Sequence, residues 1–337
     1  MTRDVRGDPT YRHRRFSFEI IDTGVRLFPT LVFLSLSLPA LPQPAPANDA
    51  SRTDITRLLS EYATAEYFWQ QTDIARKLIA TGDRQIIAAI QPYLETNDRS
   101  RRCNAAFVLA GLDDERGAVI LISELQDTVP GTRAVGSVDF VGNPSAEALA
   151  MRQMVQDRYF AALLLGELRE RSAVPALVAV THDDSINYRA AESLGEIGDA
   201  SAIPALREMA VAFAEEGALA RVSAGYGLAA LGAREGFDIL RDVALLDPQW
   251  VRRRYAVELL GKTADQRAVA IVLQALKDTH PNVRVSAARS LAKIGDPETI
   301  PALRAVVGDS EVPPENAPTT VGLEAHKAIV AIESKPR

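Results

Sequence analysis

Three histidines, one cysteine and a recurrent arginine are the residues beyond the N-terminal segment whose types could support chemistry in this chain of 337 residues. His182, His280 and His326 stand far apart, and none has a second histidine three or four residues away, so no helical face offers a metal pair. His182 and His280 adjoin Asp183 and Pro281 and read as solvated turn residues. Cys103 is the sole cysteine, which rules out an intrachain disulfide or a thiolate metal site. It follows Arg102 near an expected helix start, and both features lower a thiol pKa. No histidine accompanies it in sequence, and helix packing is the plainer reading. Ser290-Leu-Ala-Lys293 has the S-x-x-K spacing without its companion motifs. The glycine-rich run Gly131 to Gly136 lacks the lysine of a phosphate loop. Together these residues predict a chain that is not an enzyme and uses no metal and no cofactor.

The arginines recur in register. If Leu78, Leu109, Leu165, Leu194, Leu228, Leu260 and Leu291 are aligned, Arg102, Arg158, Arg221, Arg253 and Arg284 stand seven residues before their leucines, with Gln71 and Asn187 as exceptions. Seven residues is nearly two helical turns, so each arginine shares the inward side of its helix. A guanidinium there needs an acceptor. Asp157, Asp278 or helix C-terminal carbonyls are the expected partners, which makes the row a structural ladder. A row of anion-binding arginines is the rival reading.

The elements that carry this row come from the same register. The leucines are spaced 31, 56, 29, 34, 32 and 31 residues apart. Four residues before each stand Ile74, Ala105, Ala161, Ala190, Ala224, Ala256 and Ala287, a small face with helical period. Gly82-Asp83, Gly198-Asp199 and Gly295-Asp296 then break the helix with a left-handed cap and an acid at the next start. Pro175, Pro204 and Pro301 suit the first turn of a second helix. Each unit is therefore helix, tight turn, helix. One such hairpin cannot bury its apolar face alone, so neighbours must stack.

The runs Ala190 to Asp199 and Ala287 to Asp296 resemble HEAT-like repeats of the bilin-lyase type, over roughly residues 66–334. The resemblance implies an all-α, right-handed solenoid of about seven hairpins, and a scaffold role more than a chemical one. A hydroxylase of the deoxyhypusine type on the same repeat needs paired His-Glu steps, which are absent. The concave surface is expected on the second helices, where Arg207, Glu208, Gln274 and Lys277 are candidates. Residues 48–65 are expected to form an N-terminal cap whose amphipathic helix runs from Thr53 to about Tyr67, and Ala325, Ile329 and Ile332 a lone closing helix.

The wide interval contains an insertion at about 128–154. Thr128 to Pro144 reads as a loop or small hairpin, and a helix is expected from Ala146 to Leu168. An insertion this long in a regular array is either functional or a plain solvated loop, and both readings stay open. Arg133 and Phe140 within it, with Arg158, Tyr159 and Tyr188 beside it, are the candidate partner-binding residues.

Arg12, Arg14, Arg15 and Arg26 precede an apolar run from Leu27 to Leu38, and Ala45-Pro46-Ala47 has the form a signal peptidase accepts. Residues 1–47 thus read as a leader, with the mature chain periplasmic or extracellular and not inserted in the membrane. The net charge of −6, nearer −8 without that segment, argues against nucleic acid as a partner. The expected function is a monomeric, non-catalytic scaffold for a partner protein or peptide. The alternatives are an enzyme or accessory with a site at the insertion, Arg158, Tyr159 and Cys103, and a purely structural envelope component.

Overall fold

Seven times among the described residues the chain pairs a helix bearing a small-residue face with a second helix that packs back on it. The computed structural model describes residues 49–130, 146–214, 219–313 and 319–335. The fold described is that of these residues, and residues 1–48 lie outside it.

After α1 (Asp49–Thr64), the hairpins are α2 (Phe68–Ala80) with α3 (Ile86–Ile90), α4 (Arg99–Gly111) with α5 (Glu115–Gln126), and α6 (Ala146–Glu167) with α7 (Val174–Ala179). Then come α8 (Asn187–Ile197) with α9 (Ile203–Ala212), α10 (Leu219–Ala230) with α11 (Arg234–Leu246), α12 (Trp250–Thr263) with α13 (Val269–Ala275), and α14 (Pro281–Ile294) with α15 (Ile300–Ala305). A lone helix, α16 (Val321–Glu333), follows. No strand occurs among the described residues. The fold is an all-α solenoid of stacked hairpins. None of these helices is long and apolar enough to cross a membrane.

The register dictates the core. All seven aligned leucines are fully buried, as are Ile90, Leu121, Leu177, Leu206, Leu240, Val272 and Leu303 twelve residues after them. Two apolar clusters run along the stack and meet at α10, which contributes Leu228 to one and Tyr226 to the other. The small face permits close approach. A Cβ on Gly195 would lie 2.9 Å from the Gly227 Cα of the next first helix.

Each first helix ends on a left-handed residue four positions after its leucine. Gly82, Gly198, Gly232 and Gly295 serve there with φ of 66° to 81°. Asp113, Arg169 and Ala264 adopt the same conformation at φ of 50° to 59°. In four hairpins an acid, Glu170, Asp199, Asp265 or Asp296, then accepts from the amide two residues on and starts a short 3-10 turn into the second helix. Tyr67 does not extend α1 as the sequence suggests. It sits extended, with φ −100° and ψ 144°, at the start of α2, because the chain must turn between the two helices.

Candidate functional site

The side chains one repeat apart on the first helices meet, and so do some two repeats apart. Arg76 on α2 bonds Glu167 on α6 at 2.6 and 2.8 Å, reaching past α4. The Phe68 and Phe160 rings on the same two helices stack at 3.4 Å. Glu192 on α8 reaches Lys262 on α12 at 2.6 Å, past α10. Helices separated by a whole repeat can touch only on the inner side of a curved stack, so the first helices line the concave surface. This corrects the expectation that the second helices do. Arg207, Glu208, Gln274 and Lys277 are exposed on the opposite side. There Arg207 bonds Glu235, joining α9 only to its neighbour α11.

The centre of the concave face is a connected polar network. Arg189 bonds Glu192 at 3.0 Å, Glu196 at 2.5 Å and the Ser193 hydroxyl at 3.1 Å. Ser193 in turn donates to the Ala162 carbonyl of α6 at 2.7 Å. Tyr255 donates its hydroxyl to Glu192 in a very short contact and lies 2.7 Å from the Ser223 hydroxyl. Lys262 stands over the Tyr226 ring at 5.8 Å. Tyr159 and Tyr188 extend the patch along α6 and α8, with ring centres 5.9 Å apart.

Two cations, Arg189 and Lys262, face two carboxylates, Glu192 and Glu196, in this partly desolvated setting. Burial alone would raise the Glu192 carboxyl, but the Arg189 and Lys262 charges outweigh it and hold it below the ordinary glutamate range. Burial works against the Arg189 charge, yet Glu196 and Glu192 outweigh that and raise its pKa well above the ordinary value. Burial pushes the Tyr159, Tyr188, Tyr226 and Tyr255 hydroxyls up, so all four stay neutral donors. The arrangement offers fixed donors, acceptors and aromatic faces. Among the described residues, no three histidine, cysteine or carboxylate side chains converge on one point.

Comparison with known proteins agrees with the repeat. A model of HEAT repeats matches residues 146–229 and 237–317. The chain carries HEAT repeats. No curated protein matches it. Among solved structures it is similar to the complex of CpcE and CpcF of phycocyanin lyase from Nostoc sp. PCC7120, at 20% identity and a TM-score of 0.44, over 73% of this chain and 94% of that one. It is also similar to human deoxyhypusine hydroxylase in complex with glycerol, at 17% identity and a TM-score of 0.35, over 85% of this chain and 98% of that one.

Within the HEAT repeats the arginine row occupies the loop edge. Arg253 holds Asp278 with two bonds of 2.7 and 2.9 Å and the Asp247 carbonyl at 2.9 Å. Arg284 bonds Asp309 at 3.0 Å, Glu311 at 2.6 Å and the Asp278 carbonyl at 2.9 Å. Arg158 bonds Asp183 at 2.6 Å and the Leu125 carbonyl at 2.9 Å. Arg102 bonds Glu124 at 2.5 Å and the Thr96 carbonyl at 2.7 Å. Arg102, Arg253 and Arg284 each tie their own second-helix end to the loop before their helix, and Arg158 reaches instead to the last turn of α5. Among the described residues Arg221 makes no such bond, and its Nε is buried without a partner. Asp157, one of the expected acids, instead accepts from Gln153 and Ser100.

The candidate partner-binding set divides. Tyr159 and Tyr188 come together on the concave face, whereas Arg158 turns to the loop edge. Arg133 and Phe140 lie outside the described residues. Cys103 is fully buried, and burial pushes its thiol well up. His280 is not a solvated turn residue. Its ring stacks on Trp250 at 3.9 Å and its Nδ1 accepts the Asn282 amide at the start of α14.

Sequence reasoning missed Arg189, Glu192, Ser223, Tyr255 and Lys262. The signal was present in the same register, five and two residues before each leucine and two after it. Those offsets carry Arg189, Glu192 and Glu196 on α8, Ser223 and Tyr226 on α10, and Tyr255, Glu258 and Lys262 on α12. Polar residues recurring on a helix side that also holds buried alanines mark a face shared by packing and binding.

Proposed function

We propose that this chain is a scaffold without catalytic chemistry of its own, which binds a partner protein or peptide on its concave face. One observation carries the reading: tyrosines and ion-paired groups from α6, α8, α10 and α12 gather into a single surface. Tyr159, Tyr188 and Tyr255 remain partly exposed there. Tyrosine supplies large contact area at small entropic cost, with a hydroxyl for orientation. The polar groups beneath are already bonded to one another, so a partner meets a rigid, preorganised floor. Solenoids present such inner surfaces to extended partners.

The test places a photo-crosslinking phenylalanine analogue at position 188 and, in a second protein, at position 207. Crosslinking to one discrete protein from position 188 and not from 207 is expected. Crosslinking from 207 alone overturns the reading, because position 207 lies on the second-helix side.

A further inference from the structure

The ladder shows which chemistry satisfies its arginines. Asp278 serves Arg253, Asp309 serves Arg284, Asp183 serves Arg158 and Glu124 serves Arg102. Arg221 has no equivalent. The aspartate of its own hairpin, Asp247, gives one oxygen to the Gln249 amide at 2.8 Å and turns the other to Arg252 at 3.5 Å. The Arg221 Nε is left buried without an acceptor, while the residue as a whole stays partly exposed. A buried charged donor without a partner is costly.

The surface beside it is apolar where other hairpins are polar or small. Immediately before the inter-repeat aspartates stand Gln126, His182, Lys277 and Gly308, but Leu246 precedes Asp247. Leu246 is 76% exposed, as is Val211 near the end of α9, and Leu219 is 40% exposed two residues before Arg221. The antiparallel hairpin brings the end of α11 beside the start of α10. A guanidinium whose Nε lacks an acceptor therefore stands near the start of α10, on the loop edge where the ends of α9 and α11 carry exposed aliphatic side chains.

We propose that this edge docks a partner segment carrying an aspartate or glutamate beside an aliphatic residue. The carboxylate completes the ladder at Arg221, and the aliphatic residue covers Leu246, Val211 and Leu219. The site lies on the loop edge and not on the concave face, so it stands or falls separately from the scaffold reading above.

A random peptide library panned on the full chain tests it, with Arg221→Gln as the comparison and thermal melting as the control for folding. Enriched clones should carry an acid next to an aliphatic residue and bind Arg221→Gln about tenfold more weakly, the loss of roughly one charge-assisted hydrogen bond. Arg221→Gln should melt no lower than the parent, whereas Arg253→Gln, which breaks a filled rung, should melt lower. Clones that lack an acid, clones that bind both proteins equally, or no enrichment overturn the proposal. A Glu215→Gln, Glu216→Gln double variant covers the remaining occupant. If it and Arg221→Gln both lower the melting temperature, the chain's own carboxylates fill the rung and the proposal fails.

Discussion

Glu192 joins two first helices, α8 and α12, through one carboxylate, with Arg189, Lys262 and Tyr255 all bonded to it. Glu192→Gln removes one of the two anions and leaves Arg189 and Lys262 to share Glu196. Breaking a buried pair in this way costs about 3 kcal/mol, to be read from urea unfolding. The folded pKa of Glu192 lies below its ordinary 4.5, so the unfolded chain binds more protons in that window. Its contribution is present above about pH 4.5 and is lost as pH falls through the lowered value. The acid limb of stability should therefore be shallower in Glu192→Gln. Asp157 behaves in the opposite sense. Burial holds it up at about 6, and one of its oxygens is buried without a partner. Between 3.8 and about 6 the folded chain binds more protons, so stability falls as pH rises across that window. Asp157→Asn should gain about 2 kcal/mol at neutral pH and flatten the curve there. A loss of stability in that variant would show that the carboxylate is needed in its charged form.

At the scale of the element, the turn after each first helix demands a left-handed residue, and three of the seven hairpins supply one with a side chain. Ala264, at φ 50°, is the plainest case because it has no polar group to offset the strain. Ala264→Gly should stabilise the protein by about 1 kcal/mol, measured by thermal unfolding. An unchanged or lower midpoint would mean that the glycine's extra freedom in the unfolded chain cancels the relief. Gly82, Gly198 and Gly295 were legible in sequence as caps, each followed by an acid, whereas Gly232, followed by Ala233, was not. Asp113, Arg169 and Ala264 were not, because only the stack's repeating geometry forces them into that conformation.

For the whole molecule, we infer export from the basic and apolar segment that ends near Ala47. The protein recovered from the cell envelope should have the intact mass of a chain starting at Asn48. A mass that retains residues 1–47 would sink this inference. Curvature is the other property at this scale. It brings Glu192 to Lys262 across an intervening repeat and so creates the concave network.

The period of small and large apolar residues by itself determined the hairpin, the buried leucines and the stacking of neighbours, because burial of a one-sided helix face depends on local spacing alone. It also placed the arginines on one side of five of the seven first helices. Which side of the stack is concave, which acid each arginine meets and which rung stays empty were decided only by the tertiary structure. Those depend on how far successive hairpins rotate against one another, a sum of small packing choices at Gly195, Gly227 and their neighbours that no single repeat encodes.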